Sequence, residues 1–275
     1  MHIVVAAKQV LDPDGVNSYA LWGKLAVDAS GRSFTVGNLI PHIINAYDEQ
    51  AMEAALRLKD ADPSVRITAV SVGPESTAEV LKRCFALGAE SAIQVIDPES
   101  AAADGFRTGA LIAAAIRELG DVDLVLCGRQ GSDYDQGTVP AVVAELTGAA
   151  YVTLASAVEA VAGGVRVTRA SPLGTEVVEA ALPAVVTVSN ELGTPRYPTS
   201  RGMLEARRKR PEVREAGALM ATMQAGWSPI LGSVELVEVF VPDVQGHCEI
   251  ITGESPAEKA EKLWQRIVAT GVFDA

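Results

Sequence analysis

Asp133, Asp135, Gln136 and Thr138 cluster between two glycines and a proline, in the stretch Cys127-Gly128-Arg129-Gln130-Gly131-Ser132-Asp133-Tyr134-Asp135-Gln136-Gly137-Thr138-Val139-Pro140. The apolar run 124–127 ahead of it predicts a buried strand. Pro140 behind it marks the first turn of a helix. A strand that runs into exposed helix amides is where α/β proteins hold phosphates. Gly131 and Gly137 let the backbone approach a ligand closely. Asp133 can accept from a ribose hydroxyl or order the loop. Gln136, Gly137, Thr138 and Val139 offer amides and a hydroxyl to a phosphate. The plainer alternative is a strand–helix loop capped by Asp135 or Thr138 that binds nothing. The loop alone leaves both readings open.

Other chemistries lack their residues. The histidines are His2, His42 and His247; none lies near a G-x-S-x-G elbow, and no H-x-x-x-H spacing occurs. A Walker loop and a G-x-G-x-x-G turn are both absent. Cys84, Cys127 and Cys248 are odd in number and far apart, which argues against a disulfide framework and for a reducing compartment. Cys127 ends the predicted strand and reads as a small core residue rather than a nucleophile. The net charge of -12 disfavours nucleic acid as a partner, with Arg207-Arg208-Lys209-Arg210 a local exception. No signal peptide is evident, and no run approaches the roughly 20 apolar residues of a membrane span. A cytoplasmic protein without direct membrane insertion is expected.

The elements around this loop follow from hydrophobic period. Residues 3–7 predict a strand apolar on both faces, and 66–72, 91–96 and 124–127 predict three more strands. Helices are expected over 48–60, 78–87, 108–119 and 139–147, with Ser76 or Thr77 capping the second. Residues 8–45 read as a loop-rich excursion or hairpin, with a β-like piece at 33–36. Strand and helix alternating at this spacing imply right-handed crossovers and an open, mostly parallel, doubly wound α/β sheet. Residues 151–158, 164–169, 176–181 and 184–188 predict shorter strands that extend the sheet with an antiparallel portion. Beyond 190 the expectation is an irregular loop, a short basic helix at 203–209, no clear core pattern over 211–232, a strand at 235–241 and a helix at 255–268. Ser255-Pro256-Ala257-Glu258 supplies that last helix with a capping box. Ala6, Val70-Ser71-Val72-Gly73 and Cys127-Gly128 then fall at the C-terminal ends of predicted parallel strands. Those ends line one crevice in such a sheet, and the residues are mostly small, as a wall against adenine must be.

Several segments taken in order resemble the β subunit of electron-transfer flavoproteins over essentially the whole chain. They are Val4-Val5-Ala6-Ala7-Lys8-Gln9-Val10, the helix Asn45-Ala46-Tyr47-Asp48-Glu49-Gln50-Ala51-Met52-Glu53-Ala54-Ala55-Leu56, the pair Ala69-Val70-Ser71-Val72-Gly73-Pro74 and Ala86-Leu87-Gly88-Ala89, the loop from Asp123 to Gln130, and Leu182-Pro183-Ala184-Val185-Val186-Thr187-Val188 with Pro195-Arg196-Tyr197-Pro198. The resemblance implies an adenine nucleotide α-hydrolase-like domain over 1–190. Residues 191–275 would form a recognition loop and a C-terminal arm packing on the partner subunit. It implies a heterodimer with an α subunit that carries FAD. The β chain would hold AMP or a second FAD, the latter in electron-bifurcating members, which draw on NADH. The complex would pass electrons between a dehydrogenase or NADH and flavin or quinone-linked acceptors such as a quinone oxidoreductase. On this likeness the nucleotide contacts carry over to Ala6, Asn45, Val70, Ser71, Gly73, Cys127, Asp133, Gln136, Gly137, Thr138 and Val139. No residue of the chain would do acid–base catalysis.

The chain departs from the family pattern at Gln136, at the turn Ser171-Pro172-Leu173-Gly174, and at Ser200, near where a leucine commonly anchors acyl-CoA dehydrogenases. Pro198, the run from Gly202 to Arg207 and the extended tail are similar to the bifurcating branch. AMP and FAD stay open at this point. A non-redox sensor of the universal-stress type wants G-x-x-G and, nine residues on, G-S/T. Gly128-Arg129-Gln130-Gly131 begins that pattern, but Ala141-Val142 ends it. The S-G-G-x-D-S loop of amidating enzymes is also absent.

Overall fold

Alternate residues of each central strand enter opposite cores, because successive side chains on a strand point to opposite faces. In β1 (His2–Ala6), Ile3 and Val5 join one core while Val4 and Ala6 join the other. The same division splits β4 (Arg66–Gly73) and β6 (Leu124–Gly128): Ile67, Ala69, Leu124 and Leu126 face one way, Val70, Val125 and Cys127 the other. Helices α2 (Ala46–Ala61) and α3 (Ala78–Leu87) cover the first face with Ala51, Met52, Leu81 and Phe85. Helices α4 (Gly105–Leu119) and α5 (Val139–Thr147) cover the second with Leu111, Ala115 and Val143. Two-sided burial is why β1 and β6 are near-continuous apolar runs rather than alternating ones. The computed structural model describes residues 1–21, 26–29, 31, 40–100, 103–223, 234, 236–241 and 248–272.

Among those residues the main sheet has the order β11-β5-β4-β1-β6-β10-β7-β8-β9. Here β5 is Ser91–Ile96, β7 Ala150–Val161, β8 Gly164–Ser171, β9 Gly174–Ala181, β10 Ala184–Val188 and β11 Glu212–Glu215. Every neighbour from β11 to β7 is parallel, and β8 and β9 add the expected antiparallel portion. The fold is therefore the open, mostly parallel, doubly wound α/β sheet read from the sequence. β7 carries a bulge where its register with β10 shifts. There Leu154 takes a positive φ of 61° and its amide donates to Thr187 Oγ1 at 3.0 Å, a local twist that turns the strand toward β8.

Other expectations change. The excursion over 8–45 contains a small antiparallel pair, β2 (Gln9–Leu11) with β3 (His42–Ile44), and a helix α1 (Pro13–Leu21). Pro13 starts that helix rather than breaking a loop. Residues 33–36 lie outside the described residues. Ser76 and Thr77 do not cap α3. They sit in a 3₁₀ turn, where Thr77 Oγ1 donates to Pro74 O at 2.8 Å and Ser76 Oγ to Gln9 Oε1 at 2.8 Å. The short helix α6 runs Ser200–Ala206, earlier than expected, with Thr199 accepting from the Gly202 amide. β11 and the following helix α7 (Ala216–Ala221) arise where no core pattern was read. Residues 236–241 form no strand.

The chain divides into two compact units, Met1–Phe240 and Val241–Ala275, the first holding α6, β11 and α7 together with the sheet. The second unit holds α8 (Pro256–Ala269). Its cap is the expected Ser255, which accepts from the Glu258 amide at 3.2 Å, but Glu258 returns to the Glu254 amide, one residue earlier than in a standard capping box. Leu263, Ile267 and Val268 on α8 are exposed. No helix among the described residues is long and apolar enough to cross a membrane.

Candidate functional site

The chain leaves β1 toward β4 and β5, then returns to place β6 on the other side of β1. In an open sheet this reversal leaves a crevice at the C-terminal strand ends. Three of the sequence-predicted residues form its floor. Ala6 pairs with Val70 in register, and Cys127 is the last residue but one of β6 next door. All three are buried. Burial, and to a lesser degree the nearby Asp48 charge, pushes the Cys127 thiol far up, so it is a wall atom and not a nucleophile.

The loop 128–138 is held from below by the start of α2. Asn45 is buried; its Nδ2 donates to Gln130 O at 2.9 Å and its Oδ1 accepts from Ser132 N at 3.1 Å. The predicted contact residue Asn45 therefore shapes the loop directly. One turn on, Asp48 accepts from the amides of Lys8 at 2.7 Å and Gly128 at 2.8 Å. Burial raises its carboxyl from 3.8 to about 6, against the lowering pull of the Lys8 amide, Asn45, the Gly128 amide and the Lys8 charge. Nothing in the sequence beyond an acidic first helical turn singled Asp48 out.

Above that support Lys8 Nζ meets Asp133 Oδ1 at 2.6 Å and lies 5.2 Å from the Tyr134 ring centroid. Asp133 Oδ1 also takes the Tyr134 amide at 3.0 Å. Gln130 Nε2 donates to Asp135 Oδ1 at 2.5 Å, fixing Asp135 at a φ of 52°. Gly137 has a φ of 64°, which a side chain rarely adopts. Exposed Gln136 precedes it. Thr138 then begins α5 in the helical region without a side-chain cap, so neither Asp135 nor Thr138 caps α5. The N-terminus of α5 lies tight against that of α4: a Cβ on Gly105 would meet Thr138 Cβ at 2.9 Å. Val139 is the first residue of α5.

Two buried hydroxyls here have no hydrogen-bond partner, Ser71 Oγ on β4 and Ser132 Oγ in the loop. A buried hydroxyl left unpaired costs about 1–3 kcal/mol. Gly73 ends β4 against Thr77, whose Cγ2 would lie 2.7 Å from an added Cβ. At the end of β5, fully buried Asp97 takes Arg107 through both oxygens at 2.8 and 2.9 Å, a pair that the sequence did not signal. Among the described residues no cluster of His, Cys, Asp and Glu could hold a metal ion.

The profile of the electron transfer flavoprotein domain matches residues 37–219. Along its whole length, the electron transfer flavoprotein subunit beta of Megasphaera elsdenii is 33% identical, over 99% of this chain. This chain belongs to the electron transfer flavoprotein β-subunit family. The CarD subunit of the caffeyl-CoA reductase–Etf complex of Acetobacterium woodii is 30% identical over 97% of this chain and 98% of its own. The β subunit of Thermoanaerobacterium thermosaccharolyticum is also 30% identical over those same shares. The family match takes in Asn45, the ends of β4 and β6 and the whole 128–139 loop.

Proposed function

We propose that this chain is the nucleotide-holding β subunit of a heterodimeric electron transfer flavoprotein, with an adenine nucleotide seated over Ala6, Val70 and Cys127. The observation that carries the reading is the unpaired, buried Ser71 hydroxyl on β4, the strand beside β1, together with the glycine loop that opens α5. In this reading Ser71, Gly73 and Asn45 border the base and ribose, and Asp133 takes a ribose hydroxyl. The Gln136, Gly137, Thr138 and Val139 segment takes phosphate at the helix N-terminus. When bound, a flavin supplies the electron-carrying chemistry. The chain's own residues bind it, orient it and set the surrounding charge. FAD is favoured over AMP by Pro198, the 202–207 run and the extended tail, and by the likeness to a caffeyl-CoA reductase–Etf subunit. The α subunit is the proposed cover for the exposed apolar residues of α8. A dehydrogenase or quinone oxidoreductase is the proposed exchange partner.

The test is to co-express the chain with its α subunit, denature the purified complex and count what is released. Two FAD per heterodimer support the FAD form, and one FAD with one AMP the structural-nucleotide form. No nucleotide beyond the α-subunit flavin overturns the site. Asp133→Ala and Thr138→Ala are each expected to weaken nucleotide retention about fivefold, the worth of one hydrogen bond, with unfolding stability falling by no more than about 1 kcal/mol, the worth of a surface pair such as Lys8 with Asp133. Gly137→Val is a poorer probe because its positive φ strains the backbone with or without ligand. Full retention in both clean variants would remove the loop from the site.

A further inference from the structure

Asp48 is a buried acid without a buried cation opposite it, and it spends both oxygens on backbone amides from two different strand ends. Lys8 follows β1, and Gly128 closes β6. These are the two strands between which the sheet reverses. The fit is close: a Cβ on Gly128 would lie 2.6 Å from Tyr47 Cβ and would overlap Asp48 Oδ1. The sheet ladder between β1 and β6 is registered only as far as Val5 and Leu126. Beyond those residues Asp48 supplies a tie between the two edges of the mouth.

We propose that Asp48 is a positioning residue for the nucleotide mouth, its carboxylate fixing the gap between the ends of β1 and β6 so that retention of the nucleotide follows the charge on this one group. This deepens the nucleotide-site reading and rests on it. As a carboxylate, Asp48 serves two amide donors with charge-assisted bonds. As a neutral acid, one oxygen carries a proton and is a poor acceptor, so one strand end is let go. Burial places this change near pH 6. The charged and titratable neighbours are Lys8 from the β1 side, Glu49 with its partner Arg83, the thiols Cys84 and Cys127, and Arg129 over the Tyr47 ring; one step further out, Glu191 meets the field of Arg129 and Tyr151 that of Cys127. Burial holds both thiols protonated, that of Cys84 up to about 12.

The sign separates positioning from folding. A carboxyl raised on folding contributes stability that is present below its unfolded value near 3.8 and lost as pH rises through about 6. Acidification therefore favours the folded chain through Asp48 while it slackens the mouth. Loss of nucleotide at low pH is not unfolding caused by this group.

The experiment measures release of the native nucleotide from the intact heterodimer between pH 5 and pH 8, with thermal unfolding followed in the same buffers. The wild type is expected to release its nucleotide about tenfold faster at pH 5 than at pH 7.5, the loss of one charge-assisted bond, with a midpoint near 6. Asp48→Asn turns a donor toward one of the amides, so it should release about tenfold faster than wild type at pH 7.5 and show no step. A step from any other group, such as the phosphate monoester of a bound AMP, which titrates near 6, survives in Asp48→Asn. Survival of the wild-type step in that variant overturns the inference, as does a flat wild-type profile, and the flat profile applies even if the variant fails to fold. Both results leave the nucleotide site standing. A wild-type complex with no β-site nucleotide removes the site and the inference together.

Discussion

Glu53→Ala is expected to lower the unfolding free energy by about 3 kcal/mol, the loss of a buried carboxylate that serves charged donors. Glu53 lies on α2, almost fully buried. Its Oε2 accepts from Arg196 Nε at 2.7 Å and the Arg196 amide at 3.2 Å; its Oε1 accepts from Arg196 Nη2 at 3.1 Å and Arg57 Nε at 3.0 Å. Arg57 in turn donates to Leu192 O at 3.0 Å. One carboxylate thus pins the segment 192–196 against the helix. Burial pushes the Glu53 carboxyl up, but the bonds from Arg196 and Arg57 outweigh it and hold it below its ordinary value. A depressed carboxyl contributes stability above its unfolded value, lost as pH falls through the folded one. The difference between wild type and variant should therefore be full at pH 7 and shrink below pH 4. Denaturant melts at the two pH values would show it, and an equal gap at both would dismiss the ionic account.

Gly128→Ala is expected to cost about as much, near 3 kcal/mol, for a steric reason. The added Cβ would sit 2.6 Å from Tyr47 Cβ and 2.8 Å from the Tyr47 carbonyl carbon, besides overlapping Asp48 Oδ1. Two of these neighbours belong to or adjoin the α2 backbone, so relief requires the helix to move and not a rotamer to turn. The double variant with Asp48→Ala should recover part of the loss, because it removes one of the overlapping groups. A melting temperature within one degree of wild type for Gly128→Ala would mean that the helix start and the strand end are not packed as described.

Much of this architecture was legible because burial on both faces writes itself into a strand as a near-continuous apolar run. Residues 91–96 and 184–188 are mostly apolar, interrupted within by Gln94 and Thr187, and their limits agree with β5 and β10. The limits of α5 were legible because Pro140 stands in its first turn. What escaped reading is held by partners far away in sequence. β11 reads Glu-Val-Arg-Glu and shows no apolar pattern; its parallel ladder to β5 makes it a strand. Residues 236–241 are rich in Val and Phe, as strands are, yet form no ladder among the described residues. Pro13 can open α1 because the amide it lacks has no intrahelical partner in a first turn. In the candidate site, glycines and a strand end announced the loop. Its supports did not announce themselves: Asp48 and Asn45 look like ordinary helix-start residues until Gly128, Gln130 and Ser132 are brought to them.

The placement of β10 bears on when the mouth is complete during synthesis. Every proposed contact residue has been made once Val139 is added, but β6 takes its outer ladder from β10, and the Arg129 amide donates to Val188 O at 2.9 Å. The flank of the loop thus arrives about fifty residues after the loop itself, a delay of several seconds at about 5–20 residues per second. During that interval β6 emerges as an apolar edge without its neighbour, the form of strand most prone to pair with the wrong chain. The flank of the mouth is thus complete only after translation has passed residue 188.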